Sequence, residues 1–182
     1  MKIEEIYKKI IDNLAFGNRG LTRFSAKEME ELEVAYTDAL THRDVPMLEK
    51  ILCLIEHSSS LHHKFENSLL ETLKLDLPDH VLIFALNGAR KHIISARFQK
   101  GHRLDFHFLE ILKNLLHAKS PEVVEWTLRT IEECGNQGVY FLREFDKIKP
   151  APWKWFNPHQ RAVREIITLL ERRWSHFEKH PS

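Results

Sequence analysis

The 182-residue sequence predicts an all-α protein, and three observations carry that prediction. Apolar residues recur at helical spacing in segment after segment, the 3.6-residue period of a buried helix face. No stretch sustains the two-residue alternation of a half-buried strand, and β-branched clusters bounded by turn pairs are missing. The breaks between stripes carry helix-start and helix-stop chemistry instead.

In chain order, the first stripe is Ile3, Ile6, Ile10 and Leu14, and Gly17-Asn18 supplies its stop. Ser25-Ala26-Lys27-Glu28 is a capping box, in which the hydroxyl and the carboxylate satisfy orphan amides of the next helix. That helix carries Leu32, Ala35, Tyr36, Ala39 and Leu40. Leu48, Ile51, Leu52 and Ile55 follow, then Leu61, Phe65, Leu69 and Leu73, then Val81, Phe84, Ala85 and Gly88. Phe108, Ile111, Leu112 and Leu115 make the next stripe. Ser120-Pro121-Glu122 then opens a helix bearing Val124, Thr127, Leu128 and Ile131, with a proline where its missing N–H costs nothing and an acid that suits the helix dipole. Gly135-Asn136 ends that helix, and Phe141, Phe145 and Ile148 follow. Asn157-Pro158 starts the last helix, with Val163, Ile166, Ile167, Leu170, Trp174 and Phe177.

Three helix starts share an acidic or Ser residue and a Pro: Asp44-Val45-Pro46, Asp76-Leu77-Pro78 and Ser120-Pro121. The Pro-to-Pro intervals are 32 and 43 residues, and the longer one carries a basic insertion around Ile94–Arg103. Helix pairs repeating at that period are the mark of α-solenoids. Residues 120–135, Ser-Pro-Glu-Val-Val-Glu-Trp-Thr-Leu-Arg-Thr-Ile-Glu-Glu-Cys-Gly, resemble the first helix of a HEAT repeat, with Val139–Ile148 as the second. Residues 44–75 and 77–117 resemble the unit more loosely, so the likeness to the HEAT/armadillo family covers 44–148. Asp44 and Asp76 precede the first helices, where that family places an Asp and a basic residue between helices. The resemblance implies one all-helical domain of antiparallel hairpins stacked as a short solenoid, the alternative being an irregular helical bundle. Residues 1–43 would be capping helices, 44–148 the helix pairs, 149–157 a connector and 158–180 the C-terminal helix.

Composition narrows the function classes. Lys plus Arg number 27 against 26 Asp plus Glu, which argues against a wholly basic nucleic-acid protein. With 43% hydrophobic residues and few Gly and Pro, the chain is globular and long enough to fold without metal or disulfide. Cys53 and Cys134 sit inside apolar helical patterns and read as small buried hydrophobes. The acidic, amphipathic first residues are unlike a signal peptide, and the longest apolar run, Val81–Leu86, is far short of a membrane span. The expectation is a cytoplasmic protein.

Catalytic and cofactor motifs are missing. The chain has no phosphate-cradling Gly-rich loop, no GxSxG, no HExxH, no paired CxxC and no Glu-x-x-His repeat. Twelve histidines are many, but His57, His62-His63, His102 and His107 match no ligand pair, and His176 with His180 reads as a solvated helix end. Glu132, Glu133 and Glu144 read as solvating carboxylates, so neither an enzyme nor a cofactor or metal site is expected.

Charge is unevenly placed. Residues 1–80 hold 10 basic and 15 acidic side chains, residues 81–182 hold 17 and 11. Between Asp79 and Asp105 no acid occurs, while Arg90, Lys91, Arg97, Lys100 and Arg103 do. Such a patch suits phosphates or an acidic protein surface, and alanine at Arg97, Lys100 and Arg103 is expected to leave thermal stability nearly unchanged. A second candidate is the proline-barred connector Lys149–Pro158, where Trp153, Lys154, Trp155 and Phe156 either pack on the core or anchor a partner. Trp126 falls between stripe positions as a further anchor. The reading that joins these features is a non-enzymatic scaffold, adaptor or regulator that binds a partner protein with an acidic surface. The alternative is a HEAT-like nucleic-acid binder using the basic patch; no membrane contact or small-molecule substrate is expected.

Overall fold

The computed structural model describes residues 2–18, 21–151 and 156–178. Its helices are α1 (Ile3–Ala15), α2 (Ala26–His42), α3 (Val45–Glu56), α4 (Glu66–Thr72), α5 (Asp79–Ala89), α6 (Ala96–Gln99), α7 (Phe106–Leu115), α8 (Pro121–Glu133), α9 (Leu142–Ile148) and α10 (Pro158–Glu178). A π-helical stretch, Arg90–Ser95, joins α5 to α6 without a break, and a 3₁₀ stretch, Gly135–Phe141, leads into α9. Among the described residues the only β pairing is an isolated bridge between Thr22 and Ser58. The fold class is all-α. No described helix is long and apolar enough to cross a membrane.

The chain divides into two compact units, residues 1–102 and 103–182. The boundary falls inside the stretch 44–148 that the sequence reading treats as one run of helix pairs. Counted by unit, the charge contrast nearly vanishes: 14 basic and 15 acidic residues in the first, 13 and 11 in the second.

The helix starts are those their chemistry requires, with one exception. Ser25 Oγ accepts from Glu28 N–H at 3.3 Å while Glu28 Oε2 accepts from Ser25 N–H at 2.8 Å, a complete capping box. Asp44 caps α3 through Met47 N–H at 3.1 Å, and Asn157 caps α10 through His159 and Gln160 N–H at 2.9 and 3.2 Å. Asp76 does not cap α5: Pro78 takes the N-cap position and Asp79 supplies the acid of the first turn. Gly17 and Gly135 follow α1 and α8 with φ of 77° and 58°, the left-handed stops expected there. Arg43 takes the same role after α2 at φ 52°, a conformation glycine adopts at lower cost.

In the first unit α3 is the hub, packed against α1, α2 and α5. Leu48, Ile51, Leu52, Cys53, Leu54 and Ile55 are all buried, so its second half meets protein on every side. Burial of each large aliphatic side chain there is worth about 1.5–3 kcal/mol. Helices two apart in sequence run side by side in the same sense. Glu49 meets His80 at 3.4 Å and Glu56 meets Asn87 at 3.1 Å, both 31 residues on, which sets α3 along α5. Lys64 lies 3.8 and 3.7 Å from Glu30 and Glu33, and Tyr36 meets Thr72 at 2.6 Å, which sets α2 along α4.

The second unit repeats the arrangement. Leu104 N–H donates to Gln137 Oε1 at 2.8 Å and His117 meets Glu144 at 3.2 Å, aligning α7 with the Gly135–Ile148 helical stretch. Glu125 meets His159 and Glu132 meets Arg173, each at 2.8 Å, aligning α8 with α10. The core holds Phe108, Phe141, Phe145 and Trp174, with Phe145 and Trp174 stacked at 6.4 Å between centroids. Phe177, placed by spacing on the apolar face of α10, is exposed, one turn beyond the buried Trp174.

Gly138 is the tightest point of this unit. A Cβ there would lie 2.2 Å from Trp174 Cη2 and 2.4 Å from Cζ2. Gly138→Ala is therefore expected to destabilise the protein by about 2–3 kcal/mol in chemical denaturation. Trp174→Phe, which removes the clashing atoms, should make the alanine less costly than in the wild-type background.

Candidate functional site

The basic segment is not an inserted loop. Residues 90–99 are helical, and Ile93, Ile94 and Ala96 are core residues that hold the segment against the first unit. This overturns the expected insertion around Ile94–Arg103, and it spends several of the charges on internal contacts. Arg90 donates to Asn87 Oδ1 at 3.3 Å. Lys91 Nζ reaches the carbonyls of Glu56, at 3.3 Å, and Ser58. Arg97 pairs with Glu66 through Nε at 3.1 Å and again through Nη2. Lys100 and Arg103 are exposed.

What the segment does is close the end of α3. His92 is fully buried; its Nδ1 accepts from His62 N–H at 2.9 Å, which leaves Nε2–H to donate to the Ile55 carbonyl at 3.1 Å. Thr22 N–H donates to the His57 carbonyl at 2.7 Å. The carbonyls of residues 55, 56, 57 and 58 thus each have a partner, three of the four supplied by Lys91 and His92. Burial holds the His92 ring neutral, its pKa pushed down to about 4, with the Ile55 bond opposing. Burial also lowers the Lys91 pKa and raises that of Glu56, whose Oε2 is buried with no hydrogen-bond partner. Cys53, beside this cluster, is buried and its thiol pushed up to about 12, as is that of Cys134 in the second unit.

In the second unit the residues around the connector form a cleft of about 230 Å³. Leu116, Pro121, Val124, Ile148, Pro150 and Val163 give it apolar walls, and His117, Lys119 and Gln160 give it polar groups. Lys119 is exposed and no ion pair holds it among the described residues. Two buried glutamates brace the walls. Glu144 accepts from Lys147 at 3.0 and 3.1 Å and pairs with His117 at 3.2 Å. The Lys147 bond, more than the His117 bond, lowers its pKa. Glu125 pairs with Arg129 at 3.0 and 2.6 Å and with His159 at 2.8 Å.

Sequence reasoning missed both braces. It treats Glu144 as solvating, whereas Glu144 and Glu125 are both buried and each holds a histidine. The Glu125–Arg129 spacing is a helix pair visible in the sequence; the histidines arrive from other helices and carry no local signal.

Of the aromatic candidates, Trp126 is half-buried with the Arg129 guanidinium 5.7 Å from its ring centroid. Phe156 is wholly exposed, just before α10 and four residues before Gln160 of the cleft. Trp153, Lys154 and Trp155 lie outside the described residues. Among the described residues no group of three His, Cys, Asp or Glu side chains stands close enough to hold a metal ion. Comparison with known proteins brings no match, whether to a protein-family model, a curated protein or a solved structure.

Two outcomes follow for the first unit. Arg97→Ala is expected to lower stability by about 1 kcal/mol, because it leaves a mostly buried Glu66 unpaired, while Lys100→Ala stays within about 0.5 kcal/mol; thermal melts of both variants check this. For His92 the folded pKa lies below the unfolded value of 6.5, so its contribution is complete above about pH 6.5 and is lost as pH falls toward 4. Urea titrations at pH 7 and pH 4 should show about 3 kcal/mol of acid destabilisation that is absent in His92→Gln.

Proposed function

We propose that this chain is a non-enzymatic helical-repeat binding module, acting as a scaffold, adaptor or regulator of a partner protein, with the second-unit cleft as the contact surface. The observation that carries the reading is Phe156. It is a fully exposed aromatic ring four residues before Gln160, which lines a cleft with apolar walls, and exposed aromatic anchors together with apolar pockets supply most of the affinity of protein interfaces. The same-sense alignment of helices two apart, found in each unit, supports a HEAT-like stacking of hairpins. Lys119 and His117 at the cleft favour a partner segment that joins an aliphatic or aromatic side chain to an acidic one.

A second reading, nucleic-acid binding, has one observation in its favour: Lys100 and Arg103 are exposed within the acid-free run. It predicts an affinity that falls steeply with salt, in proportion to the phosphates neutralised.

Affinity capture from native lysate, with and without nuclease and at two salt concentrations, separates the readings. A stoichiometric protein that survives nuclease supports the binding module; nucleic acid lost at higher salt supports the alternative. Phe156→Ala should weaken capture of that protein by about 2 kcal/mol, roughly 30-fold, with a melting temperature that is unchanged. Undiminished capture by both Phe156→Ala and Lys119→Glu would remove the cleft from the account.

A further inference from the structure

Among the described residues, one exposed helix face in each unit complements the other. On α2, Met29, Leu32, Tyr36 and Ala39 are buried, which turns Glu30, Val34, Thr37, Asp38 and Thr41 to solvent with Glu33 at their edge. On α10, Val163, Ile167, Leu170 and Trp174 are buried, which turns Arg161, Glu165, Leu169 and Arg172 outward with Arg164 and Thr168 beside them. Each set of six forms a single groove-lining face, and both follow one spacing: i, i+3, i+4, i+7, i+8, i+11. One face is acidic and the other is basic. Each carries an aliphatic side chain near its centre, Val34 at 70% exposure and Leu169 at 48%, larger than a solvated helix face requires.

The geometry points to a second copy of this chain as the occupant: the α10 face of one molecule docks on the α2 face of the next. Laid antiparallel, the common spacing brings Glu30 to Arg172, Asp38 to Arg164 and Val34 to Thr168, with Leu169 opposite Glu33 and Arg161 opposite Thr41. Thr37 meets Glu165, so the one acid on the basic face receives a hydroxyl donor rather than a carboxylate. The charges already engaged leave this match in place. Lys64 lies 3.8 and 3.7 Å from Glu30 and Glu33, distances of ion pairing without a hydrogen bond. Asp38 holds His42 at 3.2 Å, and Arg164 gives only its Nη1 to the Pro150 carbonyl. Arg161 and Arg172 make no ion pair among the described residues.

Because the two faces differ, the contact is heterologous: each copy keeps one free face, and association continues past the dimer unless the rotation closes a ring. A face of twelve residues is about 17 Å long, well short of a standard interface, so the association is weak and depends on concentration and salt. It does not rest on the proposed partner cleft, which uses other residues of α10.

Sedimentation velocity of the full chain tests the inference, from about 10 to about 500 µM at low salt and again with about 0.5 M NaCl. The expected result is a weight-average mass that rises with concentration beyond two copies and falls back in high salt. Arg164→Glu with Arg172→Glu makes both faces acidic, and Glu30→Arg with Asp38→Arg makes both basic. Each double variant should associate at least about tenfold more weakly than wild type, and an equimolar mixture of the two should recover association. A wild-type chain that stays monomeric throughout overturns the inference. So does association that both variants retain, or a variant mixture that recovers nothing while circular dichroism shows both folded.

Discussion

A helix whose closing turns are buried cannot end in protein without partners for its last carbonyls, and α3, surrounded by protein along its second half, is such a helix. An unsatisfied buried carbonyl costs about 1–3 kcal/mol, and the carbonyls at and just past the end of α3, those of residues 55 to 58, each receive a donor. The first unit is arranged around that requirement. Lys91 and His92 reach over from the π-helical stretch, and Thr22 arrives from the segment before α2. Two separated parts of the chain are thereby tied to one helix end. The ammonium of Lys91 also lies where the helix dipole is negative, so charge and hydrogen bonding act together. Ser95 Oγ donating to the Arg90 carbonyl, five residues back, follows the same π-helical turn.

The second unit solves a different problem, the fit of a large ring. Trp174 is buried to within 1% and lies against the backbone at Gly138, the one position in the 3₁₀ stretch where a side chain would occupy the space of the indole. Glu144 and Glu125 each hold one histidine and one long cation, which satisfies a carboxylate that burial would otherwise penalise. Both braces border the cleft, so the groups that fix the wall geometry are the ones closest to the surface proposed for binding.

Much of this was legible in the sequence, because the strongest signals are local. The stripes in α3, α7 and α8 are buried residue for residue, and the capping box at Ser25 and the stops at Gly17 and Gly135 form as their chemistry dictates. What escaped depends on contacts over long separations. Nothing within a few residues of Lys91 says that its ammonium turns toward a carbonyl 33 positions earlier, and nothing beside Arg97 names Glu66. An acid-free run therefore looks like a charged surface when it is in good part a set of internal ties. Gly138 is silent for the same reason, since the residue that excludes a side chain there lies 36 positions away. Phe177 marks the opposite error: a stripe read by spacing continues one turn past the point where packing stops.

All four tryptophans of the chain, Trp126, Trp153, Trp155 and Trp174, fall in residues 103–182, while the first unit has none. Intrinsic tryptophan emission is thus a spectroscopic label for one unit only, whereas helical dichroism sums over both. With no engineering, the two signals recorded in one denaturant series report whether the units melt as a single cooperative body or in succession.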